Sequence, residues 1–262
     1  MNIIRTPAVA GLFYPDDPRE LRTQVDAFLD AVETAGPASK AIIAPHAGYI
    51  YSGPVAASVY ARLRVARTRI RRVVLLGPSH RVGFQGIAMS EADAFDTPLG
   101  AITIDKTALA QIQHLPGVVV LERAHAQEHS LEVHLPFLQE VLDDFKLVPL
   151  VVGEAPPEQV GAVLNELWGG PETLIVISSD LSHYHDYRTA QRMDEATSQA
   201  IERLRFEDIG YHDACGRHPI NGLLWLARQR GMHGQTVDLR NSGDTAGPRD
   251  QVVGYGAYVF DE

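Results

Sequence analysis

The sequence contains a single cysteine, Cys215, among 262 residues. An internal disulfide and a Cys-x-x-Cys metal site are therefore excluded, and a reducing, cytoplasmic location is expected. No apolar run reaches membrane-spanning length, and Met1-Asn2-Ile3-Ile4-Arg5-Thr6-Pro7 lacks the apolar centre of a signal peptide. Positive charge is scarce: 23 Lys and Arg stand against 33 Asp and Glu, a formal net charge of −10. A field of that sign repels nucleic acid and anionic lipid, and the arginine-rich run from Arg62 to Arg72 reads as a solvent-facing helix end. The glycine-flanked serine elbow, the Walker phosphate loop, the dinucleotide glycine fingerprint and His-Glu-x-x-His are all missing. These absences argue against the common serine hydrolases, nucleotide-binding folds and zinc proteases. With 45% hydrophobic residues and no repeat or linker-like segment, residues 1–262 read as one domain.

What is present is a threefold pattern. Ala41-Ile42-Ile43 runs into Ala44-Pro45-His46-Ala47-Gly48-Tyr49. Arg72-Val73-Val74-Leu75-Leu76 runs into Gly77-Pro78-Ser79-His80. Thr173-Leu174-Ile175-Val176-Ile177 runs into Ser178-Ser179-Asp180-Leu181-Ser182-His183. Each is a buried-type strand ending in a loop that carries a histidine. In open α/β sheets the crevice beyond the carboxyl ends of the strands is the usual ligand site, so the three histidines point to one polar, metal-capable pocket.

The remaining pattern alternates strands and helices. Asp17-Pro18 supplies a cap and a first-turn proline for a helix with Leu21, Val25, Phe28 and Leu29 on one stripe, stopped by Gly36-Pro37. Pro54 is expected to open a second helix. Gly86 to Ser90 and Gly100 to Ile104 suggest a β-meander around a Phe95–Gly100 loop. A helix over Lys106 to His114, a strand at Val118 to Leu121 and a helix from Leu131 with Pro136 in its first turn follow. Then come a strand at Lys146 to Val152 and helices over Pro156 to Leu167, Tyr187 to Leu204 and the leucines after Pro219. The last two strands, Thr236 to Leu239 and Val252 to Phe260, flank a glycine-rich loop, Asn241 to Gly247.

His46 and His80 are the best metal-ligand candidates; the competing reading is two loop histidines bonded to backbone carbonyls. Two neutral imidazoles and a carboxylate form the facial set that suits Fe(II) and leaves positions open. Asp244 is the candidate carboxylate, although Asn-Ser-Gly-Asp is also good turn chemistry. His183 could serve as general base, its ring oriented by Asp180, unless Asp180 only caps a helix. His129, with Glu128, could line the same pocket or merely open a helix. His185, His125, His114, His212 and His233 read as structural or surface residues. Cys215 precedes a probable helix start and reads as a buried structural thiol. Arg217 and His218 could meet an anionic group there, with structural hydrogen bonding as the alternative.

Six ordered segments resemble the Memo family, called AmmeMemoRadiSam system protein B in prokaryotes. They are Pro7–Pro15, Pro45–Tyr49, Gly77–His80, Glu128–Pro136, Ser178–His183 and Cys215–Ile220. That family is similar to the class III, LigB-type ring-opening dioxygenases, which implies a mixed central β-sheet with helices on both faces. The resemblance implies that His46 and His80 bind metal and that His183 occupies the base position. It further implies a cysteine ligand in the loop before the last strand. Counting back from Val253-Gly254-Tyr255 puts Thr245 there, so Asp244 beside it is expected to restore a carboxylate and an iron-type site. Fe(II) is then the expected ion, with Zn or Cu possible. The functions to weigh are an Fe(II) oxidoreductase of dioxygenase type, a binding module for a small molecule or peptide, and a metal-dependent hydrolase. The family's prokaryotic name adds a radical SAM protein and an AMMECR-type protein as possible partners.

Overall fold

Unbroken apolar runs form strands that need cover on both faces, and this chain places such runs side by side. The computed structural model describes residues 3–33 and 36–261; Met1 and Asn2, read above as part of a leaderless start, lie outside the described residues. The strands are β1 (Ile4–Arg5), β2 (Ala41–Ala44), β3 (Arg72–Pro78), β4 (Ile87–Met89), β5 (Ala94–Phe95), β6 (Ile102–Thr103), β7 (Val118–Val120), β8 (Lys146–Val152), β9 (Thr173–Ser178), β10 (His183–His185), β11 (His233–Asn241) and β12 (Val252–Asp261). The α-helices are α1 (Pro18–Asp30), α2 (Tyr49–Tyr60), α3 (Lys106–Ile112), α4 (Glu122–Ala126), α5 (Leu135–Val141), α6 (Pro157–Glu166), α7 (Tyr187–Glu202) and α8 (Arg217–Arg230).

Nine strands form a mixed sheet in the order β10-β12-β2-β9-β3-β8-β4-β7, with β11 also on β12; β1, β5 and β6 make a separate small sheet. β2, β9, β3 and β8 are parallel neighbours, and the strands flanking that block, β12 and β4, run antiparallel to it. Ile42, Ile43, Val73 to Leu76 and Ile175 to Ile177 are fully buried. Helices cover both faces: α2 packs on β2 and β12, and α8 packs on β3 and β9 with α6 against it. The expected α/β architecture is the one observed. Among the described residues no helix is long and apolar enough to cross a membrane.

Several local expectations change. Asp17 caps α1 as expected, accepting from Arg19 N and Glu20 N, but the helix ends at Asp30, before Gly36-Pro37. Pro54 lies inside α2 instead of opening it. The helix begins five residues earlier because Gly48 can enter it from the strand-end loop, and burial of Val55, Val59 and Tyr60 offsets the missing N–H. The β-meander does not form. β4 joins the main sheet beside β8, whereas β5, with Phe95 expected to begin the loop, pairs with β6 in the small sheet. Arginines of the Arg62–Arg72 run pair with Asp30, Asp143, Asp144 and Asp105.

Two core histidines are neutral. Burial lowers His134 to about 3; its Nδ1 accepts from the Tyr60 hydroxyl at 2.8 Å. Burial lowers His125 to about 4, against the pull of the Ala88 carbonyl, to which Nε2 donates at 3.0 Å. Both groups regain an ordinary pKa near 6.5 on unfolding, so the unfolded chain binds more protons below that pH. Their contribution to stability is therefore complete above pH 6.5 and is lost as pH falls towards 4. Urea unfolding should show a loss of up to about 1.4 kcal/mol per pH unit for each histidine in this window. His125→Gln should remove one proton's share of that slope, up to about 1.4 kcal/mol per pH unit; an unchanged slope would contradict the assignment.

Candidate metal centre

β9 is flanked in parallel by β2 and β3, so the three carboxyl ends open on one edge of the sheet. His46 follows β2, His80 follows β3, and the loop after β9 leads to His183. The His46 and His80 rings have centroids 5.1 Å apart. His129, from the loop after α4, completes the group, 4.6 Å from His80 and 5.4 Å from His46. The sequence expectation that these strand ends share one pocket agrees with this geometry.

Ring orientation follows from the hydrogen bonds. Ser178 Oγ donates to the Ser130 carbonyl at 2.6 Å and, having no second proton, accepts from His46 Nδ1–H at 2.6 Å. Glu128 Oε1 accepts from His80 Nδ1–H at 2.8 Å. The Leu181 carbonyl accepts from His183 Nδ1–H at 2.7 Å, and the Ala155 carbonyl accepts from His218 Nδ1–H at 2.8 Å. In each case the anchored nitrogen carries a proton, so Nε2 is the ring atom left for a ligand. Anchoring of the distal N–H by carboxylate, hydroxyl or carbonyl is how metal-binding imidazoles are set.

Cys215 stands beside the two imidazoles. Its Sγ lies 3.4 Å from His46 Nε2, and one ligand atom each from His46, His80 and Cys215 falls within 4.8 Å of the others. This corrects the reading of Cys215 as an isolated structural thiol. The local reason is Gly216, where a Cβ would meet the Ser178 carbonyl and Ser179 Cβ at 2.6 Å. Only glycine lets the start of α8 approach the end of β9 so closely. Cys215 N donates to the Asp180 carbonyl, and the Asp180 amide points at Sγ from 3.3 Å. A lone cysteine followed by glycine at a helix start was the available signal.

Asp244 is not brought to the imidazoles. Its Oδ2 accepts from Asn241 N at 3.1 Å and its Oδ1 from the Tyr187 hydroxyl at 2.5 Å. Oδ2 thus closes the Ser242–Asp244 turn in a capping box, Oδ1 is taken by α7, and the residue faces a separate cavity with Gln191, Asp194 and Arg240. Turn chemistry claims it. Thr245 Oγ1 donates to the Ser242 carbonyl within the same turn. Asp180 also differs from expectation: it does not orient His183. Its Oδ1 accepts from His46 N at 2.8 Å, and Oδ2 is 3.9 Å from His46 Nε2.

Burial governs the electrostatics. It lowers His46 well below the usual range, with repulsion from His80 and His129 adding to it, and it lowers His129 to about 4 with help from His80. Burial, then the Asp180 carboxylate, pushes the Cys215 thiol up, and burial raises Asp180 against the pull of His183. For Glu128 burial is overcome: hydrogen bonds from His80 and main-chain amides hold it down at about 2. Glu128 Oε2 accepts from His80 N and Oε1 also from His129 N and Ser130 N. Glu128 and His129 do group with His80 as possible ligands, but a carboxylate so fully bonded acts as the anchor of His80.

Beyond the donors lies a cavity of about 560 Å³, reached by His80, His183 and Cys215 and lined by Phe84, Tyr184, Tyr211 and Arg217. Tyr184 takes a left-handed conformation, φ 61°, at a bulge between His183 and His185. Arg217 stacks on Tyr211 and contacts Glu154 at 3.4 Å. His185 and His212, read above as structural or surface residues, line the same cavity.

A family model described as "Memo-like protein" matches residues 5–259. A "MEMO1 family protein" of Aquifex aeolicus is 40% identical over 268 residues, covering 98% of this chain and 99% of its own. "MEMO1 family protein M1425_2054" of Saccharolobus islandicus is 37% identical, and "MEMO1 family protein SSO0066" of Saccharolobus solfataricus 34% identical, each over 281 residues with the same coverage.

The ring assignments have a direct readout. Long-range ¹H–¹⁵N correlation spectra near pH 7.5 should show His46, His80, His183 and His218 as Nδ1–H tautomers. An Nε2–H signal for His46 or His80 would remove the free lone pairs from the cleft.

Proposed function

We propose, from the premise that this chain belongs to the Memo-like family, that the cleft binds one transition-metal ion and acts as a metal-dependent enzyme on a small molecule held in the adjoining cavity. The observation that carries this reading is the convergence of two anchored imidazoles and a thiol. His46 Nε2, His80 Nε2 and Cys215 Sγ would be the ligands. Three protein donors leave positions for substrate, as in catalytic sites and unlike closed structural ones. A cysteine in place of the expected carboxylate shifts preference towards softer ions, copper and zinc. Ferrous iron would draw on the Asp180 carboxylate, whose Oδ2 is already 3.9 Å from His46 Nε2.

When bound, such an ion supplies Lewis-acid or redox chemistry. The chain's own residues do the rest. His183, fixed by the Leu181 carbonyl, presents Nε2 to accept a proton from substrate. Arg217 offers guanidinium donors at the same wall, and Phe84, Tyr184 and Tyr211 supply apolar and aromatic surface. An oxidoreductase of dioxygenase type is the reading closest to the family's relatives; zinc with hydrolytic turnover is the alternative within the same ligand set.

A second reading is favoured by one observation: Tyr184 and Tyr211 are 71% and 72% exposed at the rim. Exposed aromatics beside a pocket suit a peptide or a partner protein, including the radical SAM and AMMECR-type partners that the resemblance implies. Binding that survives complete metal removal would favour it.

Metal content after anaerobic purification tests the first reading. Native protein and Asp244→Asn should each hold about one ion per chain, and His46→Ala and Cys215→Ser less than about a tenth of that. Near-zero metal in the native chain, or full retention in Cys215→Ser, would overturn the ligand set.

A further inference from the structure

Glu132 is fully buried, and none of its contacts is with the proposed ligands. Its Oε2 accepts from Arg5 at 2.7 Å and from Ala8 N at 2.8 Å; its Oε1 accepts from Val9 N at 2.9 Å and the Tyr14 hydroxyl at 2.7 Å. One carboxylate thus gathers the whole segment from residue 5 to residue 14. Arg5, also buried, completes the link in the other direction. Its Nε donates to the His125 carbonyl at 2.8 Å and its second terminal nitrogen to the Glu128 carbonyl at 2.6 Å. Those carbonyls bracket the turn that aims Glu128 at His80. The segment returns to the cleft at its far end, where the Phe13 ring lies 4.8 Å from His129 and the Phe13 carbonyl accepts from Tyr49 N, three residues after His46.

An ion pair taken wholly out of water is costly unless its remaining bonds are satisfied. This one is satisfied, largely by main-chain groups of the two loops it joins. Residues 6 to 13 contain no strand longer than a bridge, so these bonds act beside the packing of Val9 and Phe13 in placing them.

We propose that Arg5 and Glu132 are positioning residues of the metal centre, linking the ligand anchor Glu128 to the N-terminal segment so that ion binding and docking of residues 5–14 form one coupled equilibrium. The inference rests on the metal reading above. The route is continuous: ion to His80, His80 to Glu128, the Glu128 carbonyl to Arg5, Arg5 to Glu132, and Glu132 to the amides of Ala8 and Val9. Linkage is reciprocal. Whatever loosens the segment weakens ion binding, and the ion in turn protects the segment.

Cobalt(II) is the probe, because its thiolate charge-transfer and ligand-field bands report affinity and geometry without any activity. Native chain, Glu132→Gln, Tyr14→Phe and, as a surface control, Arg228→Ala would be stripped of metal and titrated, with thermal melts in parallel. Glu132→Gln should bind at least about tenfold more weakly, in line with losses seen for groups that orient ligands, with altered ligand-field bands. Tyr14→Phe should fall between it and the native chain, and the control should match native. Should Glu132→Gln fail to fold, amide exchange on the native chain decides: cobalt should slow Ala8 and Val9 severalfold. Native affinity and spectrum in a folded Glu132→Gln would overturn the inference while leaving the metal reading intact, as would exchange at Ala8 and Val9 indifferent to cobalt. No cobalt band in the native chain would overturn the metal reading first and this inference with it.

Discussion

Parallel pairing of β9 with β2 on one side and β3 on the other is the constraint on which the cleft depends. Its register sets Ala44 beside Ser178 and Leu76 beside Ile177, so the chain leaves neighbouring strands at nearly the same height. Three loops then start within a few ångströms of one another. Their side chains meet because the sheet beneath them is rigid and fully buried. A slip of one residue would turn each strand's side chains to the opposite face and carry His46 away from Ser178.

Once the rings are assembled, burial decides their state. Water is largely excluded from His46, His129 and Cys215, so each is held neutral. A cluster of three imidazoles would repel itself if protonated. With Nδ1–H committed to Ser178 and Glu128, His46 and His80 turn their other ring nitrogen towards one point. Glu128 is the one strongly ionised group at the back of the site, and its charge is spread over four N–H bonds. The negative charge therefore sits behind His80, where it raises that ring's basicity as a donor.

Much of this was legible in the sequence because it is local. Apolar runs ending in Pro-His or Pro-Ser-His mark strand ends, and the carboxyl-edge rule joins them. The α1 cap at Asp17 and the first-turn Pro136 of α5 were readable for the same reason. What could not be read was contact across long separations. Cys215 reaches His46 over 169 residues, and its one local mark is the glycine that follows it at a helix start. Asp244 misled because a carboxylate in an Asn-Ser-Gly-Asp turn has two uses, and here one oxygen closes the turn while the other accepts from Tyr187. Pro54 misled because helix-start chemistry at one position was outweighed by burial along the rest of α2. The Arg5–Glu132 pair was invisible for the same reason as Cys215: its partners are 127 residues apart.

The chain's one thiol lies among the candidate ligands, which makes covalent labelling unusually selective in this molecule. A maleimide or an aromatic disulfide has a single address, at the wall of the cavity beside His80 and His183, and because burial pushes that thiol up it should react slowly at neutral pH. Modification there reports on the cleft alone, with no background from other cysteines. A reporter group attached at that position would stand beside Tyr184 and Tyr211, so its signal would register whatever molecule enters between them.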